Sequence, residues 1–165
     1  MEEAKEEKKT ILTYEGLKQY EDELHELKVV KRQEVAQKLK EARAQGDLSE
    51  NAEYDAAKDE QRDIEARIVD LEKILKNVEV VVEDEVEVDK IGVGCKVKIR
   101  DIAEKEDIEY KIVGSTEANC LQGKISNESP VGRALIGAKV GQTVSVVTPA
   151  GTFKYKVLEI ERAAV

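Results

Sequence analysis

Tryptophan is absent from this 165-residue sequence, phenylalanine occurs once, at Phe153, and aromatic residues together make up 4%. One round core of this length normally draws on more aromatic bulk. The shortage points to a long solvated element beside a small compact one. Proline occurs twice and glycine ten times, which excludes collagen-like repeats and Pro-rich linkers. Two cysteines, Cys95 and Cys120, exclude a disulfide-rich scaffold, although the count permits one bridge. The single histidine, His25, lies in a helical pattern far from both thiols, so a zinc site is not expected. No run approaches the ~20 apolar residues of a membrane span, and nothing near the start resembles a signal peptide. A cytoplasmic protein with reduced thiols and no membrane contact is expected.

Charge, by contrast, is plentiful: 38% of residues carry it, and the formal net charge is −9. Residues 1–78 hold 15 Lys and Arg against 21 Asp and Glu, and residues 79–165 hold 12 against 15. Non-specific nucleic-acid binding requires positive surface to displace counterions from phosphates. Neither part has it, so any nucleic acid would be presented by another protein.

The first twelve residues open with a charged, patternless run and are expected to fray. A helical period begins at Thr13, a good N-cap. Leu17, Tyr20, Leu24 and Leu27 recur at steps of three and four, and Val35, Leu39 and Ala42 continue the stripe after a slip near Lys31. Such a slip is a stutter in a heptad. The helix is expected to end near Ala44, with Gln45-Gly46 as its stop. A second seam runs through Ala57, Gln61, Ile64, Ile68, Leu71, Leu75 and Val78. Two helices joined by a few residues run antiparallel. The expected product is a coiled-coil hairpin of about 30 residues per arm, projecting roughly 45 Å. Its end near Leu17 and Leu75 is apolar and suited to docking, whereas its end near Gly46 is slim and polar.

Beyond Val78 the period changes to two. Val80, Val82, Val86 and Val88 form an acidic strand-like run, followed by alternating segments at 95–100, 108–113, 143–147 and 153–160. Pro149-Ala150-Gly151 is expected to turn the last two into a hairpin. Ser129 caps a short helix with Pro130 in its first turn and Gly137 after its end. The overall reading is an α+β chain. Residues 1–78 form the hairpin with an acidic tip, and residues 79–165 form an antiparallel sheet with one short helix, with the boundary between residues 77 and 83.

The connection between the helices reads Gly46-Asp47-Leu48-Ser49-Glu50-Asn51-Ala52-Glu53-Tyr54. Asp47 and Glu50 are three apart, which on a helical turn puts both carboxylates on one face within reach of one cation. The same spacing is a capping box, in which Asp47 accepts from the Glu50 amide. The two roles are compatible.

The run at 46–61, GDLSENAEYDAAKDEQ, resembles the tip signature of the Gre transcript cleavage factors. ISNESPVGRALIGAKVGQTVSVVTPAG at 125–151 is similar to the C-terminal domain of that family, and residues 13–24 to its opening. The resemblance covers about residues 10–162. It implies an N-terminal coiled coil and an FKBP-like C-terminal domain that together engage bacterial RNA polymerase at its secondary channel. The factor acts as a monomer on the extruded RNA 3′ end of a backtracked complex. It is not an enzyme itself, but stimulates the polymerase's own RNA cleavage. Asp47 and Glu50 map onto the family's catalytic tip acids, which help to hold a magnesium ion shared with the polymerase. Arg43, Asn51 and Tyr54 map onto tip-supporting positions, Lys58 and Arg62 lie where extruded RNA would pass, and Ser129 and Pro130 map onto the polymerase-docking loop. Each has a plainer reading as well: helix surface or cap for Arg43 and Asn51, packing over Ala57 for Tyr54, a solvated charge run for Lys58 and Arg62, and a helix start for Ser129 and Pro130.

Within the family, the mixed charges after Tyr54 lack the broad basic patch of the GreB type, so the GreA type is expected. Anti-cleavage paralogues depart from Asp-x-x-Glu at the tip, which this chain keeps. A prolyl isomerase on the FKBP-like part would need an aromatic pocket, yet residues 79–165 offer only Tyr110, Phe153 and Tyr155. A plain adaptor coiled coil would be indifferent to changes at Asp47 and Glu50.

Overall fold

The computed structural model describes residues 8–46 and 51–163. They fall into two packed units, one holding residues 18–77 and the other the remainder on both sides.

The first unit is the helical hairpin. Helix α1 (Tyr14–Glu26) passes through a π-helical segment, Leu27–Lys31, into α2 (Arg32–Ala44), and α3 (Ala52–Lys76) returns alongside. The pairs Arg32–Glu65, Lys38–Glu60 and Ala42–Asn51 show the antiparallel sense, since one number falls as the other rises. Of the expected seam, Val35, Leu39, Ala42, Ala57, Ile64, Ile68 and Leu71 are buried, whereas Leu17, Tyr20, Leu24, Leu27, Gln61, Leu75 and Val78 are only half-buried. The π segment coincides with the slip near Lys31. Leu27 and Val35 are eight residues apart, one heptad plus one, and a π turn absorbs the extra residue so that both pack against Ile64 and Ile68. Gly46 follows the helix end with φ +111°, a conformation that suits glycine.

The second unit is built on a five-stranded sheet in the order β5-β4-β3-β7-β6. Its strands are β3 (Cys95–Asp101), β4 (Glu106–Val113), β5 (Lys124–Ser126), β6 (Thr143–Thr148) and β7 (Gly151–Arg162). The expectation of a wholly antiparallel sheet needs one correction, because β5 pairs parallel to β4, from Lys111↔Lys124 to Val113↔Ser126. The segment between them folds back through two 3-10 turns and enters β5 in the same sense as β4. The short helix α4 (Pro130–Leu135) starts as expected. Ser129 Oγ accepts from Gly132 N (3.1 Å), Pro130 occupies the first turn, and Gly137 adopts φ +82°. Ile91, Val97, Ile99, Ile112, Leu135 and Val157 form the core.

Two further expectations are corrected. Residues 10–13 do not fray; they form β1 (Thr10–Thr13), which pairs parallel with β2 (Val78–Val81). Leu12 is fully buried there, and that burial outweighs the charged flank. The acidic run after Val78 is a strand only to Val81, because Glu83–Glu85 form a 3-10 turn that places the Glu83 side chain inside the unit. By packing, residues before Lys18 therefore belong with the sheet.

Candidate hairpin-tip site

Asp47 and Glu50 lie outside the described residues. Their immediate flanks are described, and they are held in a defined way. Asn51 is the N-cap of α3: its Oδ1 accepts from Tyr54 N at 3.1 Å. The other end of the same amide, Nδ2, donates to the Ala42 carbonyl in the last turn of α2 at 2.7 Å. One side chain thus satisfies a donor left open at the start of one helix and reaches a carbonyl in the last turn of the other, which also accepts from Gln45 N at 3.3 Å. The spacing Asp-x-x-Glu suggested a cap at Asp47; the cap of α3 as it stands is Asn51. A donor–acceptor side chain just before a helix signals the cap, but nothing in the sequence signals the bond to Ala42.

Tyr54 is half-buried in the first turn of α3, with two cations at its ring. The Arg43 guanidinium lies 5.9 Å from the ring centroid and Lys58 Nζ lies 5.8 Å away, both within cation–π range. These three expected residues are brought together. Arg62 is not part of the group; it is exposed and pairs with Asp59 at 3.3 Å. Beside the tip, Ala42, Ala56 and Ala57 floor a cleft of about 320 Å³ rimmed by Lys38, Glu41, Gln45, Glu53 and Glu60. Lys38 Nζ bonds both Glu60 oxygens (3.0 and 2.8 Å), and this hydrogen-bonded partner raises the lysine pKa above its ordinary value.

Ser129 and Pro130 lie in the sheet unit. The Ser129 hydroxyl is used internally, accepting from Gly132 N and donating to Ser126 O at 2.7 Å, while Pro130 is exposed. Cys95 and Cys120 are free thiols, the first buried and the second exposed. Burial raises the Cys95 pKa above the ordinary thiol value. Among the described residues no group of three or more His, Cys, Asp or Glu is placed to hold a metal ion. No described helix is long and apolar enough to cross a membrane.

Residues 10–80 match the family model for the transcription elongation factor N-terminal domain, and residues 79–162 match the GreA/GreB C-terminal domain. The chain is 69% identical over 157 residues to the transcription elongation factor GreA of Lachnoclostridium phytofermentans, covering 95% of this chain and 98% of that protein. It is 57% identical over 155 residues to GreA of Caldanaerobacter subterraneus, covering 94% and 99%. Among solved structures it is similar to the GreA factor homolog 1 of Thermus thermophilus, with 33% identity, 93% and 99% coverage and a TM-score of 0.43. Two adjoining family matches that together run from residue 10 to 162, over a hairpin followed by a sheet domain, establish that this chain belongs to the GreA/GreB family of transcription elongation factors.

Proposed function

We propose that this protein enters the secondary channel of bacterial RNA polymerase as a monomer and stimulates the polymerase's own cleavage of backtracked RNA. The observation that supports this most is the tip. In sequence Asp47 and Glu50 fall between the end of α2 and the cap of α3, and the described residues on either side are tied by Asn51. The hairpin carries the acids to the polymerase's active centre. The sheet unit, with Pro130 at its surface, docks outside.

The donor chemistry fits a shared magnesium ion and not a resident one. Magnesium is usually held by one or two carboxylates, with waters and phosphate oxygens completing its six ligands, so Asp47 and Glu50 would share the ion with the polymerase, the RNA and water. Asp47 and Glu50 are the residues that would hold the ion. When bound, it would stabilise charge on the attacking and leaving oxygens of phosphodiester hydrolysis. One carboxylate of this chain, Asp47 or Glu50, would also orient the attacking water and accept its proton.

The GreA type is favoured over the GreB type by the state of the basic residues. Lys58 is engaged with Tyr54 and Arg62 with Asp59, so the α3 face after the tip presents no broad positive patch.

The test is RNA cleavage in purified stalled elongation complexes. Wild type is expected to release short 3′ fragments and restore elongation; inhibition would indicate an anti-cleavage factor. Asp47→Ala is expected to bind the polymerase normally and to lose about 10²–10³-fold in cleavage, the usual cost of one well-placed electrostatic contact. Asp47→Asn separates metal binding from size and local hydrogen bonding, since Asn keeps the shape and an acceptor oxygen but is a poorer magnesium ligand. Full activity of Asp47→Asn at limiting magnesium would rule out the ligand role.

A further inference from the structure

Thr13 is polar yet only 1% exposed, where β1 turns into α1. Its Oγ1 accepts from Gly16 N at 3.1 Å, an ordinary N-cap. Its own N–H and hydroxyl hydrogen then need acceptors, and both go to one carboxylate far away in sequence. Thr13 N donates to Glu117 Oε2 at 2.8 Å, and Thr13 Oγ1 donates to Glu117 Oε1 at 2.5 Å. Glu117 ends the 3-10 turn Ser115–Glu117 that follows β4. Its negative charge stands at the N-terminus of α1, where the helix dipole favours it.

Two glycines permit this approach. A Cβ on Gly16 would lie 1.9 Å from Glu117 Oε1, and a Cβ on Gly114 would lie 1.8 Å from the Ile11 carbonyl oxygen. Gly16 is otherwise an odd choice, since glycine in a first helical turn weakens the helix relative to alanine. All of these contacts lie within the sheet unit, which ends in α1 at Leu17, and the helix then continues as the first arm of the hairpin.

We propose that Glu117 is a positioning residue for cleavage stimulation. It caps α1 from the sheet and fixes the first turn of the helix from which the tip-bearing arm grows. This rests on the function proposed above. On that reading the sheet unit docks and the arm that begins in α1 carries the tip acids, so loss of the cap at the start of α1 should affect cleavage and not docking.

The experiment combines a stability cycle with a cleavage titration on the full chain, using Gly16→Ala, Glu117→Ala and the double variant. In the wild-type background Gly16→Ala should lower the melting temperature, because its methyl displaces the carboxylate. In the Glu117→Ala background the same change should raise it, because the obstruction is gone and alanine is the better helix former. A fall of equal size in both backgrounds overturns the cap. In stalled complexes both single variants should half-saturate at the wild-type concentration but reach a cleavage plateau roughly tenfold or more lower, the cost of misplaced reacting groups. Glu117→Gln, which keeps an acceptor for Thr13 N–H, should lie between. A wild-type plateau in Glu117→Ala confines the residue to stability and overturns the positioning role. Failure of the wild-type protein itself to stimulate cleavage overturns the functional reading and the positioning role together, while the stability cycle still decides the cap.

Discussion

At the scale of single residues, the least expected group is an ion pair between a fully buried carboxylate and a half-buried lysine. Glu83 is 1% exposed, with Oε1 facing Lys111 Nζ at 2.8 Å and Oε2 without a partner among the described residues. Lys111 also reaches Glu15 at 3.1 Å, so one ammonium on β4 serves the turn after β2 and the first turn of α1. Burial opposes the charge on Lys111, but the two carboxylates more than offset this and hold its pKa above the ordinary lysine value. Stability linked to a raised pKa is fully present below the unfolded value and disappears as pH rises through the folded one. This contribution therefore holds at neutral pH and is lost only in strong alkali. Lys111→Met would strand the Glu83 carboxylate and should cost about 3–5 kcal/mol in urea denaturation at neutral pH. Lys111→Met with Glu83→Leu should recover most of that. No recovery in the double variant would mean that Lys111 acts through Glu15 or through packing alone. None of this was legible in the sequence, where Glu83 stands between Val82 and Val86 in the acidic strand-like run and nothing marks it as buried. Asn51 was legible as a polar tip residue, but not as a bridge, because its bond to Ala42 joins positions that only the hairpin brings together.

At the scale of elements, periodicity carried most of the information. The helices, β3, β4, β6, β7 and α4 were legible because each repeats its pattern over several residues or carries explicit cap chemistry, as Ser129, Pro130 and Gly137 do. Strands β1 and β5 were not, being four and three residues long and paired parallel to segments that sequence alone does not bring alongside. The slip near Lys31 was legible as a stutter, while the form it takes, the π segment Leu27–Lys31, was not. If that segment only absorbs one surplus residue, deleting an exposed one should be tolerated. Val29 is 46% exposed within it. Its deletion brings Leu27 and Val35 to seven apart, one regular heptad, and should leave helix content by circular dichroism and the melting temperature equal or higher. A clear drop in either would show that the π turn is required for hairpin packing.

At the scale of the whole molecule, the two family matches divide the chain at residues 79–80, whereas packing places residues before Lys18 with the sheet. The sheet unit is therefore assembled from both ends of the chain, with Leu12 as the inserted apolar side chain and Ile11 lying against Gly114. Full burial of one leucine contributes about 1.5–3 kcal/mol, a large share of the marginal stability of a small domain. A fragment of residues 79–165 should accordingly unfold at lower urea than the same unit in the full chain. A peptide of residues 8–17 added in trans should raise its midpoint in a saturable way, by mass action on the folded form. The same peptide with Leu12→Asp should not, because a carboxylate cannot enter that site unpaired. If the fragment is as stable alone as within the full chain, β1 is an appendage and the boundary near residue 79 is also the physical one. If the peptide rescues it, polymerase docking by the fragment should rise in parallel, since the docking surface proposed at Pro130 belongs to the unit that β1 completes.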